Sequence, residues 1–171
     1  MTIFLTGSII MRRMYSTLVV LHILAAVSWV GGMIFLSLVL APLVRGRKAA
    51  PEFMALFRSA ALRFRPVVWV AMAILLATGP MLLARRGIHV MEPASWSEIV
   101  TVKLALVGLL LLLTLLHDLV LGPNVSRVGA IPESQRTAAE QIIFKTTRWI
   151  PRLSLFIALA VVIAATMLAR S

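Results

Sequence analysis

Four apolar runs dominate the chain: 18–41, 67–84, 99–121 and 153–169. Each is long enough, or nearly so, to carry a helix across a hydrocarbon layer of about 30 Å at 1.5 Å per residue. With 61% hydrophobic and 13% charged residues and a mean hydropathy of +1.01, the 171 residues lie far outside the range of a soluble domain. The expected fold class is all-α: an integral membrane four-helix bundle, one transmembrane domain over residues 1–171, with the N and C termini on the same side. The helices are expected near 16–41, 66–84, 97–121 and 150–169.

Arg12 and Arg13 precede the first run in the manner of a secretory signal. The run continues well past the length of a signal h-region and shows no convincing cleavage site, so it reads as a retained helix. The stretch from Met1 to Met11 is too short to span and reads as either a frayed tail or an upstream start.

Orientation follows from the basic residues. Loop one holds Arg45, Arg47, Lys48, Arg58, Arg63 and Arg65, and loop three holds Arg127, Arg136, Lys145, Arg148 and Arg152, eleven against the five of the other side, Arg12, Arg13, Arg85, Arg86 and Arg170. The positive-inside rule puts loops one and three in the cytoplasm and both termini outside, periplasmic or extracellular, in a bacterial-type inner (plasma) membrane. The net charge of +11 is split among short loops beside apolar spans. Anionic lipid headgroups at loops one and three are therefore the expected partner, and nucleic acid is not. The absence of cysteine excludes disulfides, thiolate metal sites and covalent c-type haem attachment.

The loops carry pattern. Pro51 stands at a first helical position, and Phe53, Met54, Phe57, Ala60, Ala61 and Phe64 recur at three and four spacing. Residues 51–64 thus form an amphipathic surface helix or an extension of helix two. Residues 133–148 read the same way, with Ile142, Ile143 and Phe144 on the apolar side. Ser95-Trp96-Ser97-Glu98 fits a capping box that starts helix three near Trp96.

Three basic residues inside the spans mark the expected site: His22 in span one, Lys103 and His117 in span three. Such a group in hydrocarbon costs at least a few kcal/mol unless paired, ligated or wetted. Counted from the predicted helix starts, His22 and Lys103 each lie about two turns inside the same face of the membrane, so they share a layer and are expected to act as one unit. Lys103 and His117 are two heptads apart, about 21 Å along the axis, too far for one ligand shell. Against this stand plainer readings. A lysine near a helix end snorkels; His22 bonds a neighbouring carbonyl; His117 with Asp118 joins a polar belt with loop arginines such as Arg63, Arg65 or Arg127. Trp29, a heptad past His22, is by default a packing residue, and Gly31, Gly32, Gly79 and Gly108 permit close helix approach.

The residues Leu21-His22 through Ser28-Trp29-Val30-Gly31-Gly32, then Arg63-Phe64, Ala77-Thr78-Gly79, Lys103-Leu104 and Leu116-His117-Asp118 through Gly122-Pro123 together resemble the copper-resistance protein D family over roughly residues 18–125. They are also similar to the HemJ-like protoporphyrinogen oxidases, small membrane proteins associated with b-type haem, in which the His and Lys matching His22 and Lys103 are tied to function. Leu116-His117-Asp118 followed by Gly-Pro is closer to the copper group. The chain lacks the additional helices or fused copper-binding domain of many copper-resistance D proteins.

Three classes of function remain open. In the first the protein moves or holds copper, with His22 as nitrogen ligand and Met81, His89 and Met91 as further metal-ligand candidates, helped by a redox or copper-carrier partner. In the second a b-type haem is bound between His22 and Lys103, with Trp29 beside it, for electron transfer or porphyrinogen oxidation. No catalytic residue is assigned. The third is a membrane scaffold without enzymatic activity, in which polar residues only set helix register.

Overall fold

The computed structural model describes residues 2–45, 51–122, 124, 133–147 and 149–170. Of the loop cations counted above, Arg47, Lys48, Arg127 and Arg148 lie outside the described residues, as do the side chains of Arg45, Ile143, Phe144 and Lys145.

Helix α1 spans Thr2–Ile34, passes into a six-residue π-helical segment, Phe35–Leu40, and finishes as the short α2, Ala41–Arg45. The stretch read as a frayed tail or an upstream start is therefore helical from Thr2 and continuous with span one. No proline interrupts it, and the Ser16 and Thr17 hydroxyls donate back to the carbonyls of Arg12 and Arg13 at 3.1 and 3.0 Å, which keeps these residues inside the helix rather than capping a new one.

Helix α3, Pro51–Ala84, begins at the proline as the spacing predicts. It fuses the amphipathic segment with span two, so 51–64 is an extension of that helix. Pro66 and Pro80 lie within it, each removing a single backbone donor. After Ala84 the chain turns through Gly87 at φ +75, with the Gly87 and Ile88 amides donating to the Ala84 and Leu83 carbonyls at 3.0 and 3.1 Å. This is a Schellman stop, with glycine where the left-handed conformation is needed.

The next helix, α4, covers Glu98–Leu115 and passes into a second π-helical segment, Leu116–Leu121. The capping box expected at Ser95–Glu98 is not formed. Pro93–Ser95 makes a 3-10 turn, the Ser95 hydroxyl donates to the Glu92 carbonyl at 2.8 Å, and Ser97 caps α4 by position without a side-chain bond. Such a box does form ahead of α5 (Ala138–Thr147). There the Glu140 carboxylate accepts from the Thr137 amide and hydroxyl at 2.8 and 2.9 Å, and the Glu140 amide donates to the Thr137 hydroxyl at 3.3 Å. The last helix, α6, is Ile150–Arg170.

Among the described residues four helical stretches are long and apolar enough to cross a membrane: Ile10–Leu43, Glu52–Ala84, Glu98–Leu121 and Ile150–Arg170. Among the described residues there is no strand. The chain divides into two compact units, Met1–Trp96 and Ser97–Ser171, each holding two spans.

In the first unit α1 and α3 run antiparallel, because their contacts pair rising with falling numbers. Met11 meets Arg85, His22 meets Thr78, and Gly32 meets Phe64. On α3 and just past its end these partners and the buried Ala71 are spaced by heptads, 64, 71, 78 and 85; on α1, His22, the buried Ala25 and Trp29, and Gly32 lie on one stripe. In the second unit α6 buries Ile150, Ser154, Ile157, Ala158, Ala164 and Leu168, one face at three and four spacing, while Phe156, Ile163 and Met167 stay exposed. In a spanning helix that exposed apolar face is suited to lipid.

Candidate functional site

His22 lies half-buried on the α1 stripe that faces α3. Its Nδ1 is 2.7 Å from the Thr78 hydroxyl oxygen, and that hydroxyl donates to the Ile74 carbonyl one turn earlier at 2.6 Å. Thr78 is 5% exposed, among the few buried polar side chains described. Beside it Gly79 lacks a side chain where the ring passes: a Cβ there would meet His22 Cε1 at 3.6 Å, an ordinary contact. Further along, Gly32 allows the close approach. The Phe64 ring occupies the space its Cβ would take, whereas nothing lies within 4 Å of the Cβ position of Gly31. Trp29 is buried at 5% exposure, in keeping with a packing role. An open apolar groove of about 380 Å³ runs between Leu21, Ala25 and Ser28 of α1 and Val70, Ala71 and Ile74 of α3.

The height of His22 is set by charges at one end of this helix pair. Arg12 and Arg13 on α1 and Arg85 and Arg86 after α3 stand at that end, tied by the Arg85 guanidinium to Met11 sulfur contact at 3.5 Å. Guanidinium groups stay in the headgroup layer. His22 is ten residues past Arg12 and Thr78 seven before Arg85, which puts their hydrogen bond about 10–15 Å along the helix axes from that cluster. Helix one is expected from the apolar run to begin near residue 16. With α1 starting at Thr2, the depth of His22 is measured from the arginines.

The other expected ligands are placed as follows. Met81 stands one turn past Thr78 on α3, 49% exposed. His89 and Met91 lie beyond the Schellman turn and are exposed, Met91 at 92%; the His89 carbonyl accepts the Trp96 indole N–H at 2.9 Å, which folds this loop. Lys103 is half-buried in α4 within the second unit, on a heptad stripe with the buried Leu110 and with His117. His117 and Asp118 sit in the π-helical segment. Extra backbone turns of that kind recur at functional positions. Among the described residues no group of three His, Asp or Glu side chains could hold a metal. Imidazole and thioether are the donor types suited to a soft ion of low coordination number.

A relation between the two units went unread in the sequence. The π-helical segments and the residues after them, Phe35-Leu36-Ser37-Leu38-Val39-Leu40-Ala41-Pro42 and Leu116-His117-Asp118-Leu119-Val120-Leu121-Gly122-Pro123, share Leu, Val, Leu and Pro at four matched positions. The wide backbone turn closes identically: the Ala41 amide donates to the Leu36 carbonyl and the Gly122 amide to that of His117. In the same register His22 corresponds to Lys103 and Trp29 to Leu110. Each unit therefore carries its intramembrane basic side chain two heptads before the residue whose carbonyl closes its π-turn. The signal was available as the repeated Leu-Val-Leu-x-Pro.

Four apolar helices with ionisable residues set inside them define a multi-pass membrane protein. The family model for copper resistance protein D (CopD) matches residues 58–168, well over half of the chain, and the chain belongs to that family. This makes it a copper-resistance membrane protein by kinship. The match takes in Thr78, Lys103 and His117 and begins after His22 and Trp29. No curated protein and no solved structure matches it.

Proposed function

We propose that this CopD-family protein handles copper within the bilayer, moving or buffering it, and that His22 gives copper a nitrogen donor inside span one. Met81, one turn past the Thr78 partner of His22, is the nearest soft co-donor in sequence register, with His89 and Met91 as exposed donors before that layer is reached. Lys103, the register counterpart of His22 in the second unit, is assigned to the same function. Copper is cargo in this reading. The chain shows no nucleotide-binding motif, so transport would be driven by a gradient or by a copper-carrying partner protein. We place the protein in a bacterial-type inner membrane with loops one and three cytoplasmic and in contact with anionic headgroups, from the eleven-to-five division of basic residues.

The observation that carries the reading is an imidazole anchored by hydrogen bond inside a spanning helix pair, in a family named for copper. The test is Cu(I) binding by the detergent-purified chain against a chromophoric competitor, with an absorption spectrum of the same sample. The native protein should bind Cu(I), His22→Ala should lose more than the ~10–100-fold typical of an outer-shell partner, and Lys103→Ala should also weaken binding. A Soret band lost on His22→Ala, with no retained copper, would replace this reading with a haem one. A colourless protein that binds neither would leave a scaffold.

A further inference from the structure

The geometry points to Thr78 as the residue that fixes the tautomer of His22, so that the imidazole offers Nε2, and not Nδ1, to copper. This rests on the copper reading above for the identity of the ligand, but not for the tautomer, which follows from three atoms and one proton.

The Thr78 hydroxyl has a single hydrogen. Its oxygen lies 2.6 Å from the Ile74 carbonyl oxygen, a separation at which two acceptor oxygens repel unless a proton stands between them, and the carbonyl has none to give. The hydroxyl proton is therefore spent on Ile74. What the oxygen presents to the ring is a lone pair, and at 2.7 Å the ring nitrogen facing it must donate. Nδ1 carries the proton, and in the neutral imidazole the lone pair is on Nε2. The chain His22 Nδ1–H to Thr78 O–H to Ile74 carbonyl also polarises in one direction, each bond strengthening the next. The back-bond to Ile74 holds the hydroxyl in one orientation, and burial of Thr78 keeps competing water away. A residue that donates its own proton locally and accepts from the ring is what an outer-shell partner of a ligating histidine requires. Thr78 is thus a positioning residue acting through His22.

The test reads the proton directly. Full-length protein labelled with ¹⁵N-histidine is examined in detergent micelles without metal, as native chain, Thr78→Ser and Thr78→Val, with His22 assigned by its loss in His22→Ala. We expect a protonated Nδ1 and a bare Nε2 in the native chain and in Thr78→Ser, and a mixed or reversed pattern in Thr78→Val, whose methyl leaves Nδ1 without an acceptor. Cu(I) affinity should fall ~10–100-fold in Thr78→Val and recover in Thr78→Ser. A native His22 protonated on Nε2 would overturn the assignment, as would an unchanged tautomer in Thr78→Val. If that variant does not fold, the native and Thr78→Ser spectra still decide. A protein with the expected tautomer that binds no Cu(I) refutes the copper reading and leaves the role of Thr78 standing.

Discussion

Gly31 and Gly32 are neighbours in one helix, yet the packing of α1 on α3 predicts opposite responses to the same substitution. At Gly31 an alanine methyl meets nothing within 4 Å, so the change acts only through the backbone, where Gly to Ala in a helix interior stabilises by roughly 0.5–1 kcal/mol. At Gly32 the methyl falls on the Phe64 ring, which must leave its place or push the helices apart. Overpacking of that kind costs ~1–3 kcal/mol, so after the same backbone gain Gly32→Ala should lie between neutral and destabilised by ~2 kcal/mol. The backbone gain is common to both, so the two variants should differ by the overpacking cost alone, ~1–3 kcal/mol. Unfolding by SDS in mixed micelles, followed by the fluorescence of the buried Trp29 and by circular dichroism, measures this. Phe64→Leu, with a smaller side chain, should rescue Gly32→Ala and leave Gly31→Ala unaffected, a coupling of ~1 kcal/mol or more. Equal effects at the two glycines, or strict additivity with Phe64→Leu, would refute the α1–α3 contact.

At the other end of the chain, Thr137→Ala removes both the hydroxyl acceptor and the donor of the capping box. α5 should fray, with amide exchange at 138–141 faster by roughly 5-fold for a cap of ~1 kcal/mol and little change in global unfolding. Gly87→Ala forces a methyl into a left-handed conformation, so a loss of ~1 kcal/mol is expected from the same SDS titration, although nothing lies within 4 Å of the added Cβ.

Hydrophobicity located the four spans and the ends of spans three and four but not where the first two helices start, because an apolar run measures hydrocarbon thickness while a helix continues wherever backbone bonds do. Residues 2–15 stay helical under Arg12 and Arg13, and α3 carries straight through Pro66, since a proline removes a donor without obliging the chain to stop. Ser95 looked like a cap by spacing, but Pro93 draws it into a 3-10 turn; Thr137-Ala138-Ala139-Glu140 had the same spacing without a breaker inside and was passed over. Of the site, His22 and Lys103 stood out by cost alone. Thr78 did not, because a threonine in a span is cheap when it bonds its own helix, and its second bond depends on how α1 meets α3. The heptad from Phe64 through Ala71 and Thr78 to Arg85 was the readable trace of that packing. The matched Leu-Val-Leu-x-Pro segments were hidden by the leucine-rich background of both spans.

X-ray absorption at the copper edge of the Cu(I)-loaded protein bears most directly on His22 as the donor. We expect the multiple-scattering signature of an imidazole together with sulfur from thioether, and loss of the imidazole signature in His22→Ala. An unchanged spectrum in that variant, or a native spectrum without imidazole, would contradict it.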